Sequence, residues 1–376
     1  MKTKLLLFGL LLLSITGFTQ ELALARKDGK FGYITKAGEW HIKPQFKTAK
    51  NFSEDLAEAT SNGDLWGYVN RKGEWVIQPQ FNKTKAFNSG LAIVLKDKEW
   101  IYINTKGEQT LTNVSTDKLY DFSEGYAVIK SGDKIGFINT KGDVVISPKF
   151  TKAFDFVNGY SKVLENNKWG LVDPTGKYLV KTEYDGVSNF YNGNIVANKG
   201  ETYGLIINGE FKPVSGANKI WDFSNNPDYT YAKKGEKVGF IDKKGAWIIE
   251  PSFDKVRAFK NGLAPVSNEK LWGYINLKGE LIVPMQYRDA ETFSDDGLAP
   301  VKTKKLWGFI NKKGELVIPE NYVITAGGFA SLFSKNPEKG FIDGLARVKE
   351  KKSWMYIDTQ GNTLKNMTFE NLELFK

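Results

Sequence analysis

The sequence predicts an all-β protein assembled as a repeat array, and three observations carry that prediction. The first is recurrence: nearly the same string appears as LWGYVNRKGEWVIQP from Leu65, LWGYINLKGELIVP from Leu271 and LWGFINKKGELVIP from Leu306. Aligned on its glycine, the motif falls at Gly32, Gly67, Ile101, Gly136, Gly170, Gly204, Gly239, Gly273, Gly308 and Met355. Most steps are 34 or 35 residues, and a second glycine runs in phase from Gly38 to Gly361. Ten units therefore fill almost the whole chain. The second observation is composition: each unit holds several turn glycines and short aromatic or β-branched runs, which favour strands and interrupt any helix. The third is turn chemistry, and it excludes the helical arrays that share a 34-residue period.

Asn or Asp stands three residues before the second glycine at Asn70, Asn104, Asn139, Asp173, Asp242, Asn276, Asn311 and Asp358. A short polar residue first and a glycine last is the chemistry of a type I turn joined to a bulge. Asp173-Pro174-Thr175-Gly176 places proline where that turn wants a fixed φ, and unit six substitutes the two-residue hairpin turn Asn208-Gly209. These are hairpins.

Each unit then reads as three strands. Gly-Leu-Ala-x-Val (Gly90 to Val94, Gly262 to Val266, Gly297 to Val301) is the first, Trp-Gly-Tyr-Ile-Asn the second, and runs such as Trp75-Val76-Ile77 the third. A proline-bearing link follows (Pro79-Gln80-Phe81, Pro251-Ser252-Phe253) and carries a further aromatic, Phe87, Phe154, Phe259 or Phe293. Both faces of the second strand are apolar, as in a strand covered on two sides. Its glycine is expected to let a neighbouring unit approach closely.

Lys168-Trp169-Gly170, Leu271-Trp272-Gly273 and Leu306-Trp307-Gly308, each followed by Asn/Asp-x-x-Gly and Val/Ile-x-Pro, resemble the signature of the bacterial WG-repeat (KWG-repeat) proteins over roughly residues 22–365. The resemblance implies an exported or surface β-repeat module without an assigned reaction. Units three, six and ten depart from the pattern, with Ile101 and Met355 for glycine and Tyr203 for tryptophan, and local distortion is expected there.

Ile135 and Val238 occupy the tryptophan position in two units, so Trp66, Trp169, Trp272 and Trp307 read as repeat core, since volume is what these types share. Two residues past the turn glycine the types mix, with Trp40, Trp75, Tyr178 and Trp247 alongside Gln109 and Thr363. That mixture fits either partly exposed ligand-binding aromatics or half-buried residues covering the next unit. The last link is longer than the others by an insertion at about 326–339, where Phe329 and Phe333 lie beside glycines. A binding loop and a short cap on the final unit both fit this segment.

Residues 1–19 have the layout of a signal peptide: Lys2 and Lys4, an apolar run from Leu5 to Leu13, and small Gly17 and Thr19 before Gln20. An exported protein, periplasmic, outer-surface-associated or secreted, is expected, with no transmembrane segment. The chain has 53 basic and 43 acidic residues, evenly scattered, which suits a solvated surface better than nucleic-acid binding. With one histidine, His41, and no cysteine, no His/Cys metal set, cofactor site or cysteine nucleophile is expected. The acid pairs Asp295-Asp296 and Glu54-Asp55 sit on links where Asn88-Ser89 also serves, so no glycosidase pair is marked.

The expected architecture is one continuous domain over 20–376, three-stranded antiparallel sheets stacked into an open curved solenoid, with a closed propeller-like ring as the alternative. The chain begins on a first strand (Leu22 to Ala25) and ends after a third, so no exchanged strand is visible. The expected function is a monomeric, non-catalytic binding or scaffold module of the cell envelope or extracellular space, with a protein or glycan partner. A polysaccharide-binding module and, behind it, a glycoside hydrolase are the alternatives.

Overall fold

The computed structural model describes residues 20–325 and 339–376. Among these the chain forms ten small antiparallel sheets, and its only helical turn is a 3-10 turn at Leu364–Asn366. Residues 1–19, where a signal peptide is expected, and residues 326–338 of the insertion expected at about 326–339, with Phe329 and Phe333, lie outside the described residues.

The typical sheet has four strands, one more than the sequence pattern suggests. In the second sheet these are Thr48–Ala49, Leu56–Thr60, Trp66–Asn70 and Trp75–Phe81, in that spatial order. The three longer strands are the predicted ones. The two-residue strand comes from the preceding unit's link, beyond its proline.

That link also closes the molecule. Asn371–Leu372, in the tail that follows unit ten, pairs antiparallel with Leu22–Lys27 of unit one. Backbone bonds continue the ladder from Leu22 N to Lys376 O (2.9 Å), Lys376 N to Leu22 O (3.1 Å) and Glu373 N to Leu24 O (2.8 Å). The open solenoid is therefore corrected to its alternative: a closed ten-bladed β-propeller, larger than the four to eight blades typical of this architecture. The exchanged strand lies in a tail that reads as a chain end because it carries no repeat motif.

The motif glycine has a different role from the one expected. A Cβ on Gly67 would lie 2.3 Å from the Ile77 carbonyl oxygen and 2.7 Å from Pro79 N, both on the next strand of its own blade. Pairing jumps from Trp66↔Phe81 to Tyr68↔Ile77, so extra residues around Pro79 bulge over the glycine. The contact with a neighbouring unit belongs instead to the turn glycine. Gly73 (φ +82°) sits against Ile42 of the blade before it, and Gly314 (φ +83°) against Val283 in the same way.

The turns are built as their residues predict. Gly73 N donates to Asn70 O, while Asn70 Oδ1 accepts from the Lys72 and Glu74 amides at 2.9 and 3.0 Å. Asn208 and Gly209 both adopt positive φ (52° and 80°) in a two-residue hairpin pairing Ile207 with Glu210.

The motif tyrosine stitches blades together. Tyr33, Tyr68, Tyr102, Tyr274 and Tyr356 donate their hydroxyls to the carbonyls of Lys50, Lys85, Tyr120, Glu291 and Glu373, at 2.6 to 2.8 Å. Each acceptor directly follows the short strand of the next blade, or in Tyr120 the position corresponding to it. Burial pushes the Tyr102 hydroxyl up to about 12, consistent with its role as a fixed donor.

Units three and ten are distorted, as their missing glycine predicts. With Ile101 in place, the third strand shrinks to Gln109–Thr110, and the following sheet lacks its short strand. With Met355 in place, the chain leaves the sheet after the Ile357↔Thr363 bridge, makes the 3-10 turn and returns at Trp354↔Phe369. Leu111 and Leu364 then supply the apolar contacts to the next turn glycines, Gly142 and Gly38.

Candidate functional site

The short strands of successive blades face common cavities, which marks them as the inner edge of the ring. One cavity of about 680 Å³ is bounded by residues on or beside Asn371–Leu372, Thr48–Ala49 and Lys83–Thr84. A second, about 520 Å³, lies between Lys85, Trp100 and the stretch Thr116–Leu119. A third, about 750 Å³, spans Lys219–Ile220, Lys255–Val256 and Asp289–Ala290 of blades seven, eight and nine.

The chemistry of this edge varies from blade to blade while the frame repeats. The residue that follows the short strand is Lys50, Lys85, Tyr120, Phe154, Ser188, Trp221, Arg257, Glu291, Thr325 and Glu373 in blades two to ten and then one. Its backbone is held by the ladder, as from Lys50 N to Glu58 O and from Arg257 N to Pro265 O, so its side chain is free to differ. At this position the edge is basic in blades two, three and eight and acidic in blades nine and one. Phe154 is half-exposed here, and the buried aromatic of that blade is Phe156 rather than the Phe154 of the sequence pattern.

Cations cover the motif tryptophans. Lys50 lies 6.0 Å from the Trp66 ring centroid, Lys162 5.4 Å from Trp169, Arg257 4.7 Å from Trp272 and Lys302 4.5 Å from Trp307. Trp272 and Trp307 are buried, whereas Trp66 and Trp169 are half-buried. Trp100, in distorted unit three, is 46 % exposed.

The other predicted aromatics are not brought together. Trp75 meets Phe46 of the preceding blade edge-on (5.8 Å), and Trp40 meets Phe369 (5.7 Å). Trp247 donates its indole N–H to Ser215 O at 3.0 Å, and Tyr178 donates its hydroxyl to Glu165 at 2.5 Å. All four are half-buried and sit in different seams around the ring.

The link carboxylates are engaged between blades. Glu54 accepts from the Gly90 amide (3.1 Å), and Asp295 accepts from the Asn261 side chain (3.0 Å). His41 is exposed on a third strand. Among the described residues no group of three His, Cys, Asp or Glu side chains could hold a metal, and no helix is long and apolar enough to cross a membrane.

Solved structures similar to this chain include a eukaryotic initiation factor (11 % identity, 95 % of this chain and 98 % of that one, TM-score 0.48). BamB from Moraxella catarrhalis (11 %, 87 % and 96 %, 0.29) and PorZ of Porphyromonas gingivalis (9 %, 93 % and 58 %, 0.25) are also similar. No match is found among curated proteins. The WG containing repeat, by contrast, matches at 31–63, 66–100, 135–169, 169–203, 239–272, 272–307 and 307–322. The long stretches it skips after residue 31, 101–134, 204–238 and 323–376, include the motif glycine position or hairpin turn of units three, six and ten, the three that depart from the motif. With more than half of its length matched in register, the chain belongs to the WG containing repeat family.

Proposed function

We propose that this protein is a non-catalytic binding or scaffold propeller of the cell envelope or extracellular space, which engages its partner through the inner edge of the ring. One observation carries the reading: the frame positions recur from blade to blade, whereas the residue after each short strand changes chemical class. A position whose backbone serves the frame while its side chain varies beside cavities is where recognition has room to be encoded. The signal-peptide layout of residues 1–19 supports export, and with it a partner outside the cytoplasm. A polysaccharide is favoured over a second protein as the partner by the mixture of cations, carboxylates and ring edges along the cavities.

The test is capture of envelope glycans and envelope proteins by immobilised mature protein. Lys85→Ala, Lys118→Ala and Lys255→Ala together should abolish capture. Lys72→Ala, Lys141→Ala and Lys278→Ala together, on the outer hairpin turns, should leave it intact. Loss of capture in the second set alone would move the binding surface to the turns and refute the reading.

A further inference from the structure

We propose that the cavity of blades seven to nine binds a carboxylate-bearing sugar, a uronate residue of an anionic polysaccharide; this rests on the inner edge being the binding surface. Its volume of about 750 Å³ is within the usual range for small-molecule sites, about 300–1,000 Å³.

Five cations and three carboxylates line it. The carboxylates are already balanced: Glu236 by Lys233 (2.9 Å), Asp254 by Lys237 (2.7 Å), and Asp289 by Arg257 (3.1 Å) and Lys302 (3.4 Å). The excess positive charge therefore comes from Lys219, Lys255 and Arg288, all exposed on the cavity wall.

The aromatic rings position cations here and are not open stacking platforms. Lys219 lies 4.4 Å from the Trp221 centroid, Trp221 packs on Tyr231 at 4.8 Å, and Arg257 covers Trp272. A neutral glycan that depends on an open ring face is poorly served by such a wall. An anion is well served, because the ammonium and guanidinium groups are held in place before it arrives.

The paired carboxylates decide between anions. Glu236 and Asp254 can accept from sugar hydroxyls while Lys255 and Arg288 take the uronate carboxylate. An acidic peptide offers fewer donors to those acceptors and brings further negative charge against them.

Calorimetric titration of the full mature chain tests this, with tetragalacturonate, cellotetraose and tetraglutamate as probes. Tetragalacturonate should bind, and binding should weaken as salt is raised. Lys255→Ala with Arg288→Ala should weaken it about tenfold or more, while Lys72→Ala with Lys141→Ala should not change it. Equal or tighter binding of cellotetraose, or of tetraglutamate, would overturn the uronate assignment. So would undiminished tetragalacturonate binding by the Lys255/Arg288 variant, or no binding at all. In each of those cases the broader reading is judged separately, by whether the inner-edge triple variant loses envelope capture.

Discussion

Units two and three are neighbours of nearly equal length, yet only one builds the full blade. Unit two carries Gly67, and its third strand runs seven residues from Trp75 to Phe81 with the bulge folded over that glycine. Unit three carries Ile101, and its third strand stops after Gln109–Thr110. A side chain at this position occupies the volume that the bulged backbone needs, so the strand peels away and the next blade loses its short inner strand. In unit three the lost glycine thus shows both in the outer strand of its own blade and in the inner edge of the next. The ring tolerates the fault because Leu111 still packs on Gly142, restoring the seam by another route.

The largest expected effect comes from removing closure, on which this tolerance depends. In a ring, a faulty unit is braced from both sides; in an open array, it could become a fraying end. Deleting residues 369–376 removes the inner strand of blade one together with buried Phe369 and Leu372. A loss on the order of 5 kcal/mol or more is expected from those two side chains alone. Thermal melts should broaden and shift down, and small-angle scattering should report an opened particle. An unchanged melt would show that closure contributes nothing and that the seams suffice.

A smaller effect separates the two units directly. Gly67→Ala puts a methyl group within 2.3 Å of a carbonyl oxygen and should cost ~3 kcal/mol, because backbone has to move. Ile101→Gly should bring no matching gain, since the strand beyond Thr110 has taken another path and glycine adds unfolded-state entropy. Denaturant midpoints of the two variants check this. Equal shifts in both would break the link between the glycine and the bulge.

Much of this frame is legible in the sequence. Period, turn type and the three longer strands follow from glycine spacing, from Asn70-type residues and from Asn208-Gly209, because those features act over a few residues. The faults in units three and ten are also visible, as Ile101 and Met355. The short strand is not legible: at two residues each, Lys83–Thr84 and Asp289–Ala290 are too short to show an alternation of their own and share no residue type. Closure is hidden for the same reason. The candidate site is hidden in another way, since a search for recurring aromatics passes over positions whose signal is their variation. Aligning the units and asking which position near the link changes class, from Lys50 to Ser188 to Arg257 to Glu291, would have exposed it.

The smallest effect concerns a second difference between the same two units. Glu58 pairs with Tyr68 in blade two where Ile93 pairs with Tyr102 in blade three. Glu58 is only 5 % exposed, near Lys50 at the cavity that crosses the closure. Burial pushes its carboxyl above the usual range, and its own backbone amide and the Lys50 charge only partly oppose this. The folded chain therefore holds the proton to higher pH than the unfolded chain does. Protonated Glu58 stabilises the fold fully below the ordinary glutamate value of about 4.3, and that contribution is lost as pH rises through the raised value. Glu58→Gln keeps the shape and removes the titration, so it should melt above the parent at neutral pH. The gap should close as pH falls from that raised value toward the ordinary glutamate value. If parent and variant instead run parallel across pH, or the parent gains on the variant toward neutrality, the Lys50 charge satisfies Glu58 fully, and the polar residue costs blade two nothing relative to the isoleucine of blade three.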